Sequence, residues 1–247
     1  MNSPLAIIGG SGLDKLVALR ETARTSPATP YGAVSAPLIR GKLGDSDVIF
    51  LARHGSEHTI PPHRINYRAN IWALANCGIR DVFAVTAVGG IAPTTPPGRI
   101  IVPDQLIDYT AGREHTFFDG IGAPVEHIDF SYPFSEPLRQ RLIDAAKREG
   151  LAVEPQGTYG ATQGPRLETG AEIARLARDG CTLVGMTGMP EAALAREAGL
   201  NYANCSLVVN WAAGITKDII SLEEIGAQLD VGMRDVVRVL TAAAAAP

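Results

Sequence analysis

Short apolar runs alternate with amphipathic segments along most of the chain. Leu5–Ile8 and Asp47–Ala52 are apolar runs of strand length, and each ends in a turn rich in glycine or polar side chains. Ile65–Cys77 instead has apolar positions at helical spacing, and Gly78 is placed to end that helix. Strands that feed helices in this way are typical of an α/β fold, which is our prediction for the chain.

The remaining segments continue the alternation. The same criteria predict more strands at Asp81–Val88, Gly98–Ile107, Ala152–Thr162, Thr182–Met186 and Tyr202–Asn210, and more helices at Leu138–Arg148, Ala171–Arg178, Pro190–Ala198 and from Ser221 onward. Ser221 and Glu224 have the spacing of a capping box. Asp108–Pro133 is the exception, because it shows no clear period. A segment of that length in a compact domain is usually functional or part of an interface.

Polar or glycine-rich loops follow most of the predicted strands. They come after Ile8, Ala52, Thr86, Thr162, Met186 and Val209. Because ligands of α/β sheets bind at the C-terminal ends of strands, we expect these loops to converge on one site. A length of 247 residues suits one large domain or two small ones, and the lack of a linker-like stretch favours one domain over residues 1–247.

Composition and charge narrow the class of protein. Apolar residues make up 46% and charged residues 19%, which are ordinary values for a globular protein. The net charge of -4 argues against a nucleic-acid polymer as partner, although a local pocket can still bind a small anion. The three cysteines lack CxxC spacing and are interpreted as reduced thiols. The first residues lack the pattern of a signal peptide and Ala242–Ala246 is too short to cross a bilayer, so we expect a cytoplasmic protein that does not bind membranes.

Two segments carry residue types suited to an anion. Gly9–Gly12 contains Ser11, and its backbone N–H groups and hydroxyl can donate to phosphate, although a tight turn explains the glycines equally well. The Arg53 guanidinium can donate to two phosphate oxygens and the His54 imidazole to a third, unless both belong to a polar surface turn. Zinc is a less favoured alternative, because no cysteine ligands or HExxH spacing accompany the three nearby histidines, His54, His58 and His63.

Three further segments have alternatives that the residues alone leave open. Thr86–Gly90 places small residues after a buried strand, which leaves room either for a ligand or for close packing. Glu168 lies between a turn and a helix, where a carboxylate can accept from the N–H of a base, cap the helix or form a surface charge. Asn210 ends a buried strand, so its amide needs hydrogen-bond partners in a ligand or in the protein.

Several of these segments together resemble the trimeric nucleoside phosphorylases, the group that holds purine nucleoside phosphorylase and methylthioadenosine phosphorylase. The resemblance runs from Ile8 to about Ile225. Its most specific parts are Gly55, His58, Ile60 and the run Thr86-Ala87-x-Gly89-Gly90-Ile91, and then Met186-Thr187-x-x-Pro190-Glu191. The resemblance implies the single-domain fold of that family, a mixed, twisted and partly barrel-like sheet flanked by helices, and a homotrimer.

The resemblance also implies residue roles. Phosphate would be held by Ser11, Arg53, His54, Thr86, Thr187 and the backbone N–H of Ala87. Met186 would pack under the ribose, and His127 would reach the 5′ group in a neighbouring subunit. The implied reaction is phosphorolysis through an oxocarbenium-like transition state. In it Arg53, His54 and Asn210 act by positioning and electrostatic stabilisation, with no cofactor beyond phosphate as co-substrate.

Three positions at the base site favour a 6-oxopurine. Members of the family that act on 6-aminopurines resemble each other in carrying Asp where this chain has Asn210, and a second Asp where it has Ala212. The Asn210 NH2 can donate to O6 of hypoxanthine or guanine and its carbonyl can accept from a protonated N7. Glu168 matches the glutamate that 6-oxopurine enzymes use for the base N1–H. Leu167 departs from the usual aromatic, which puts stacking on the base in doubt.

The sugar end resembles the other branch. Ordinary purine nucleoside phosphorylases place a His for the 5′-hydroxyl near the start of the last helix, where this chain has Leu222, with Ile225 one turn later. An apolar wall favours a methylthio group, so the combination predicts S-methyl-5′-thioinosine as substrate. The alternatives are that both residues are core positions of an amphipathic helix, or that the chain is a methylthioadenosine phosphorylase or a general inosine/guanosine phosphorylase. A hydrolytic nucleosidase and a silent nucleotide-binding protein are the more distant hypotheses.

Overall fold

A computed structural model describes residues 4–13, 16–120 and 125–245. The first three residues, on which the expectation of no signal peptide partly rests, lie outside the described residues, as does Ala246 at the end of the alanine tract. No helix in the described ranges is long and apolar enough to cross a membrane.

The described residues form eleven strands and five α-helices. The strands are β1 (Leu5–Gly9), β2 (Leu19–Thr25), β3 (Leu38–Leu43), β4 (Ser46–Ala52), β5 (Asp81–Gly90), β6 (Ile100–Ile101), β7 (Gln105–Asp108), β8 (Val153–Glu154), β9 (Thr158–Ala161), β10 (Leu183–Gly185) and β11 (Asn201–Trp211). The helices are α1 (Tyr67–Asn76), α2 (Glu136–Arg148), α3 (Gly170–Arg178), α4 (Gly188–Glu197) and α5 (Leu222–Ala244). The α/β class and the mixed sheet flanked by helices are therefore confirmed.

The sheet is mixed and is organised around β5. Its main order is β2-β3-β4-β1-β5-β10-β9-β7. β1 runs parallel to both β4 and β5, whereas β10 runs antiparallel to β5 at its far end. β11 lies parallel to β5 along nearly its whole length, with an irregularity between Val208 and Asn210. The C-terminal ends of β1, β4, β5 and β11 therefore lie on one side of the sheet.

Burial explains why the central strands read as continuous apolar runs. All of β1 and nearly all of β5 are buried, because helices cover the sheet on either side. α2 and α5 pack against each other and against β11, while α1 packs against α4. This arrangement leaves the loops at the strand ends as the place where polar groups can gather.

Two predicted strands are interrupted in the structure. The segment predicted as one strand at Gly98–Ile107 forms β6 and β7, and the segment at Ala152–Thr162 forms β8 and β9. Pro103 and Pro155 lie in the two gaps, and proline has no N–H to donate to a sheet ladder. The outer hairpin of β2 and β3 was not predicted.

The observed starts of α4 and α5 agree with the predicted ones better than these two strands do. Ser221 is the N-cap of α5, and its hydroxyl accepts from the backbone N–H of Glu224. Met189 has an extended backbone inside α4, so the regular turns of that helix begin at Pro190, as predicted. Within Asp108–Pro133, the described residues after Asp108 contain no helix or strand, in agreement with the lack of a period.

Candidate active site

A cavity of about 180 Å³ lies where the central strands end. It brings together most of the residues predicted from the sequence: Ser11, Arg53, His54, Thr86, Ala87, Leu167, Glu168, Met186, Thr187, Asn210 and Ile225. They come from the ends of β1, β4, β5, β10 and β11, from the segment before α3 and from α5. The expected convergence of the loops on one site is therefore found.

Arg53 is buried at the bottom of this cavity and is held by Glu191. Its Nε and Nη2 donate to the two carboxylate oxygens of Glu191, both at 2.7 Å, and its Nη1 donates to the Val85 carbonyl at 2.8 Å. Burial by itself lowers the pKa of Arg53, but the charge and hydrogen bonds of Glu191 outweigh it, so the net direction is upward. These bonds use three of the five guanidinium N–H groups and leave two for a ligand.

Glu191 is the centre of a buried polar network. The Tyr202 hydroxyl donates to its Oε1 at 2.9 Å, so three hydrogen bonds satisfy a carboxylate that has no solvent contact. Burial first, and then the neighbouring carboxylate, raises the pKa of Tyr202 well above its ordinary value. Glu191 is the last residue of the motif Met186-Thr187-x-x-Pro190-Glu191, but no role for it was predicted from the sequence.

Thr86 belongs to a second buried group of polar side chains. Its hydroxyl lies 3.0 Å from Oδ1 of Asn204 and 2.9 Å from the hydroxyl of Ser206. Asn204 is fully buried, and its Nδ2 has no hydrogen-bond partner within the described part of the chain. The Thr86 hydroxyl is therefore already engaged with β11.

The glycine turn after β1 makes room for the guanidinium. A Cβ atom on Gly10 would lie 2.8 Å from Nη1 of Arg53 and 2.6 Å from the Val85 carbonyl oxygen. Only a residue without a side chain fits this approach. The turn is thus both tight and adjacent to the candidate anion site, so the two explanations of its glycines are compatible.

His54 has a defined tautomer. Its Nδ1 lies 2.8 Å from the carbonyl oxygen of Ile60, and because a carbonyl can only accept, Nδ1 carries a proton. The His58 ring packs 4.7 Å from the His54 ring, and its Nε2 lies 3.5 Å from the Ser11 hydroxyl. Among the described residues, no three His, Cys, Asp or Glu side chains are grouped to hold a metal ion.

Glu168 and Asn210 both line the cavity, and the part of it that they form, which is predicted to face the base, is named the base end. Oε1 of Glu168 accepts from the Thr162 hydroxyl at 2.5 Å. The capping box of α3 is formed by Thr169 and Glu172, so Glu168 is not the helix cap. Nδ2 of Asn210 donates to the Trp211 carbonyl at 2.7 Å, which leaves its carbonyl oxygen and its second N–H for a ligand.

The part of the cavity that is predicted to face the sugar, named the sugar end, is apolar, but not through all the predicted residues. Ile225 lines it together with Ile220 and Leu229. Leu222 is 78% exposed and does not line the cavity. Ile225 lies one turn farther along α5, on the side of the helix that faces the cavity. Ile220 and Leu229 were missed, because apolar residues around a helix start do not show which of them meet a ligand.

His127 is also outside the cavity of its own chain. It is exposed, in the described part of the aperiodic segment. That placement leaves its predicted role in a neighbouring subunit untested.

Comparison with known proteins gives one consistent picture. The phosphorylase superfamily matches the chain over residues 4–245. A probable S-methyl-5′-thioinosine phosphorylase from Pseudomonas syringae pv. tomato is 54% identical over 241 residues, which is 96% of this chain and 98% of that protein. The 6-oxopurine nucleoside phosphorylase of Pyrococcus furiosus is 43% identical, over 97% of this chain and 91% of its own length.

Solved structures agree on the fold. A double mutant of adenosine/methylthioadenosine phosphorylase from Schistosoma mansoni, in complex with adenine, superposes with a TM-score of 0.93. It is 32% identical to this chain, and the match covers 99% of this chain and 92% of that one. The relatives thus include proteins named for 6-oxopurine and for adenine substrates.

Proposed function

We propose that this chain, which belongs to the phosphorylase superfamily, has S-methyl-5′-thioinosine as its preferred substrate. The chain is an enzyme of purine nucleoside phosphorolysis, as its relatives are. The products of the proposed reaction are hypoxanthine and 5-methylthioribose 1-phosphate, which makes it a step of purine salvage.

The observation that carries the proposal is the pair of polar groups at the base end. Asn210 offers one N–H and one carbonyl oxygen to the cavity, and Glu168 offers a carboxylate. Hypoxanthine complements them, because O6 accepts while N1–H and a protonated N7 donate. Adenine would instead turn its amine toward a donor, and a site built for one pattern rejects the other. Ala212, which also lines the cavity, provides no carboxylate for that amine.

The sugar end supports a methylthio group. Ile220, Ile225 and Leu229 form an apolar wall there. A 5′-hydroxyl gains no hydrogen bond from these side chains, whereas burial of a group the size of a methylene contributes about 0.8 kcal/mol. The relatives named as S-methyl-5′-thioinosine phosphorylases support the same choice.

Phosphate is proposed to bind between Ser11, Arg53, His54, Thr86, Thr187 and the Ala87 N–H. Arg53 presents its two remaining N–H groups, and Met186 packs under the ribose. Because the hydroxyl of Thr86 is already bonded to β11, it has to exchange a partner to reach phosphate. The bound anion then stabilises the ribosyl cation and attacks its anomeric carbon, while Asn210 and Glu168 stabilise the departing base.

Three further features complete the proposal. The reaction uses phosphate as co-substrate and needs no cofactor. The enzyme works as a cytoplasmic homotrimer with purine nucleosides as its partners, and His127 of one subunit reaches the 5′ group in the next. A light-scattering mass of about three times the 26.0 kDa chain mass is the result expected for this assembly.

Methylthioadenosine is the second candidate substrate. The Schistosoma mansoni enzyme, whose fold matches nearly the whole chain, is named for adenosine and methylthioadenosine. The apolar sugar end suits methylthioadenosine equally well, so the base end alone has to decide between the two substrates.

The substitution Asn210→Asp tests the base assignment. A carboxyl group at this position can accept from the exocyclic amine of adenine, so the ratio of kcat/KM for methylthioadenosine to that for methylthioinosine is expected to rise on the order of 10- to 100-fold. Adding Ala212→Asp should raise the ratio further. A ratio that stays at the wild-type value in both folded variants would show that these positions do not select the base.

A further inference from the structure

The aperiodic segment before α2 sends one cationic side chain into the protein. Arg113 is 8% exposed. Its Nη1 donates to the carbonyls of Met186 at 2.8 Å and Met189 at 2.6 Å, and its Nη2 donates to those of Thr162 at 3.2 Å and Gln163 at 2.8 Å. Its Nε donates to Oε1 of Gln163 at 3.2 Å. A single guanidinium thus donates hydrogen bonds to four backbone carbonyls.

These carbonyls belong to the two loops that form the base and ribose parts of the cavity. Thr162 and Gln163 open the segment between β9 and α3, which carries Leu167 and Glu168. Met186 lies in the turn between β10 and α4, which also carries Thr187, and Met189 is the extended residue at the start of α4. Arg113 therefore connects the loop that faces the base with the loop that faces the ribose and phosphate.

The charge of Arg113 is balanced only by neutral groups. Every acceptor named above is a carbonyl or amide oxygen, and Nη1 also lies 3.2 Å from the hydroxyl of Tyr67. Burial raises the pKa of Tyr67 well above its usual range, so this hydroxyl stays protonated. No carboxylate among the described residues forms an ion pair with Arg113, whereas Glu191 neutralises Arg53. A buried cation without an anionic partner is costly, and its retention calls for a use.

We propose that Arg113 is a positioning residue of the active site, which holds the base loop and the ribose–phosphate loop in register through their carbonyl oxygens. The inference rests on the proposed function, since it concerns the same cavity. Arg113 touches no lining side chain that is assigned to the base or to phosphate, so it acts through the two loops. Its planar array of donors suits this role, because a Lys ammonium cannot hold acceptors on several sides of a plane.

The chain offers a matched control in Arg139. This arginine is also buried, at 5% exposure, and donates to the carbonyls of Pro103, Val102 and Pro155. It is paired with Glu136 and does not line the cavity. Loss of Arg139 therefore measures the general effect of removing a buried arginine that binds backbone carbonyls.

The experiment compares Arg113→Lys with Arg139→Lys. For each variant, kcat and KM are measured separately for the nucleoside and for phosphate, together with the thermal unfolding midpoint. Arg113→Lys is expected to lose on the order of 10- to 100-fold in kcat, because small misplacements of reacting groups are that costly. Arg139→Lys is expected to lower the unfolding midpoint and to leave both kinetic parameters within about twofold of wild type, since its bonds lie away from the cavity.

A second variant covers the case in which Arg113→Lys does not fold. Gln163→Ala removes one acceptor of Arg113 and leaves the arginine in place, so a smaller loss in kcat is expected. Wild-type kcat in a folded Arg113→Lys or Gln163→Ala variant, or equal kinetic losses at Arg113 and Arg139, would overturn the proposal. The nucleoside is whichever one the wild-type enzyme cleaves fastest. A wrong substrate assignment therefore appears in the wild-type enzyme, and a wrong role for Arg113 appears only in the ratio of variant to wild type.

Discussion

At the residue scale, Arg53 is the fixed cation of the proposed phosphate end of the cavity. Arg53 is fixed by Glu191 before any ligand arrives, because two carboxylate oxygens and the Val85 carbonyl hold three of its N–H groups. The pair is neutral as a whole. In the proposed binding of phosphate, Arg53 therefore contributes a pair of oriented donors more than a net positive charge.

Removal of Glu191 should therefore be costly in a way that surface ion pairs are not. Glu191→Ala leaves Arg53 buried without a counter-charge, and the loss of one partner of such a pair lowers the free energy of unfolding by about 3–5 kcal/mol. Chemical denaturation followed by circular dichroism measures this difference. Glu21→Ala, which removes the partner of Arg24 in an exposed pair, is the control and should change stability little. Equal effects of the two substitutions would contradict the account of Arg53.

The partners of the two buried arginines, Arg53 and Arg113, could not be predicted in full from the sequence. Arg53 was predicted as an anion ligand, but its partner Glu191 lies 138 positions away, and no local pattern links them. Arg113 had no signal at all, because an arginine in an aperiodic segment reads as a surface charge. The pairing of such groups depends on how the strand ends meet, which is a property of the whole sheet.

At the scale of the element, the start of α5 decides what the sugar end can bind. Resemblance to the family placed Leu222 at the position of the histidine that serves a 5′-hydroxyl, with Ile225 one turn later. The structure turns Leu222 toward the outside and Ile225 toward the cavity. The element was predicted correctly, and the difference lies in which of its side chains faces the site.

A histidine placed at each position tests this geometry. Ile225→His is expected to raise the ratio of kcat/KM for inosine to that for methylthioinosine by about 10-fold, because an imidazole can hydrogen-bond to a 5′-hydroxyl and no longer offers an apolar wall. Leu222→His is the control at the exposed position and should leave the ratio unchanged. The opposite pattern, with the shift at Leu222, would show that the family position is correct and that α5 rotates when substrate binds.

Elements with a continuous apolar signal were the ones that the sequence predicted. β1, nearly all of β5 and the last five residues of β4 are buried, so most of their side chains are apolar on both faces. β2 is exposed along most of its length and reads as a polar segment, so its pairing with β3 has no counterpart in the pattern.

At the scale of the whole molecule, a single chain supplies most of the cavity residues that were predicted from the sequence. The strand ends bring the base and phosphate residues together within one chain, whereas His127 lies outside. Several large apolar side chains are exposed on the described surface, among them Val125, Tyr132, Ile219 and Leu222, at 69%, 74%, 93% and 78%. Burial of these side chains at contacts between subunits is an expected consequence of the proposed trimer.

The central claim is that one cavity selects a 6-oxopurine at one end and a methylthio group at the other. The most direct test is kcat/KM of the wild-type enzyme for methylthioinosine, methylthioadenosine and inosine, each with and without inorganic phosphate. We predict that methylthioinosine exceeds each of the other two by about 10-fold or more, and that no hypoxanthine is released without phosphate. Cleavage of methylthioadenosine at an equal or higher rate would contradict the role of Asn210, and faster cleavage of inosine would contradict the apolar sugar end.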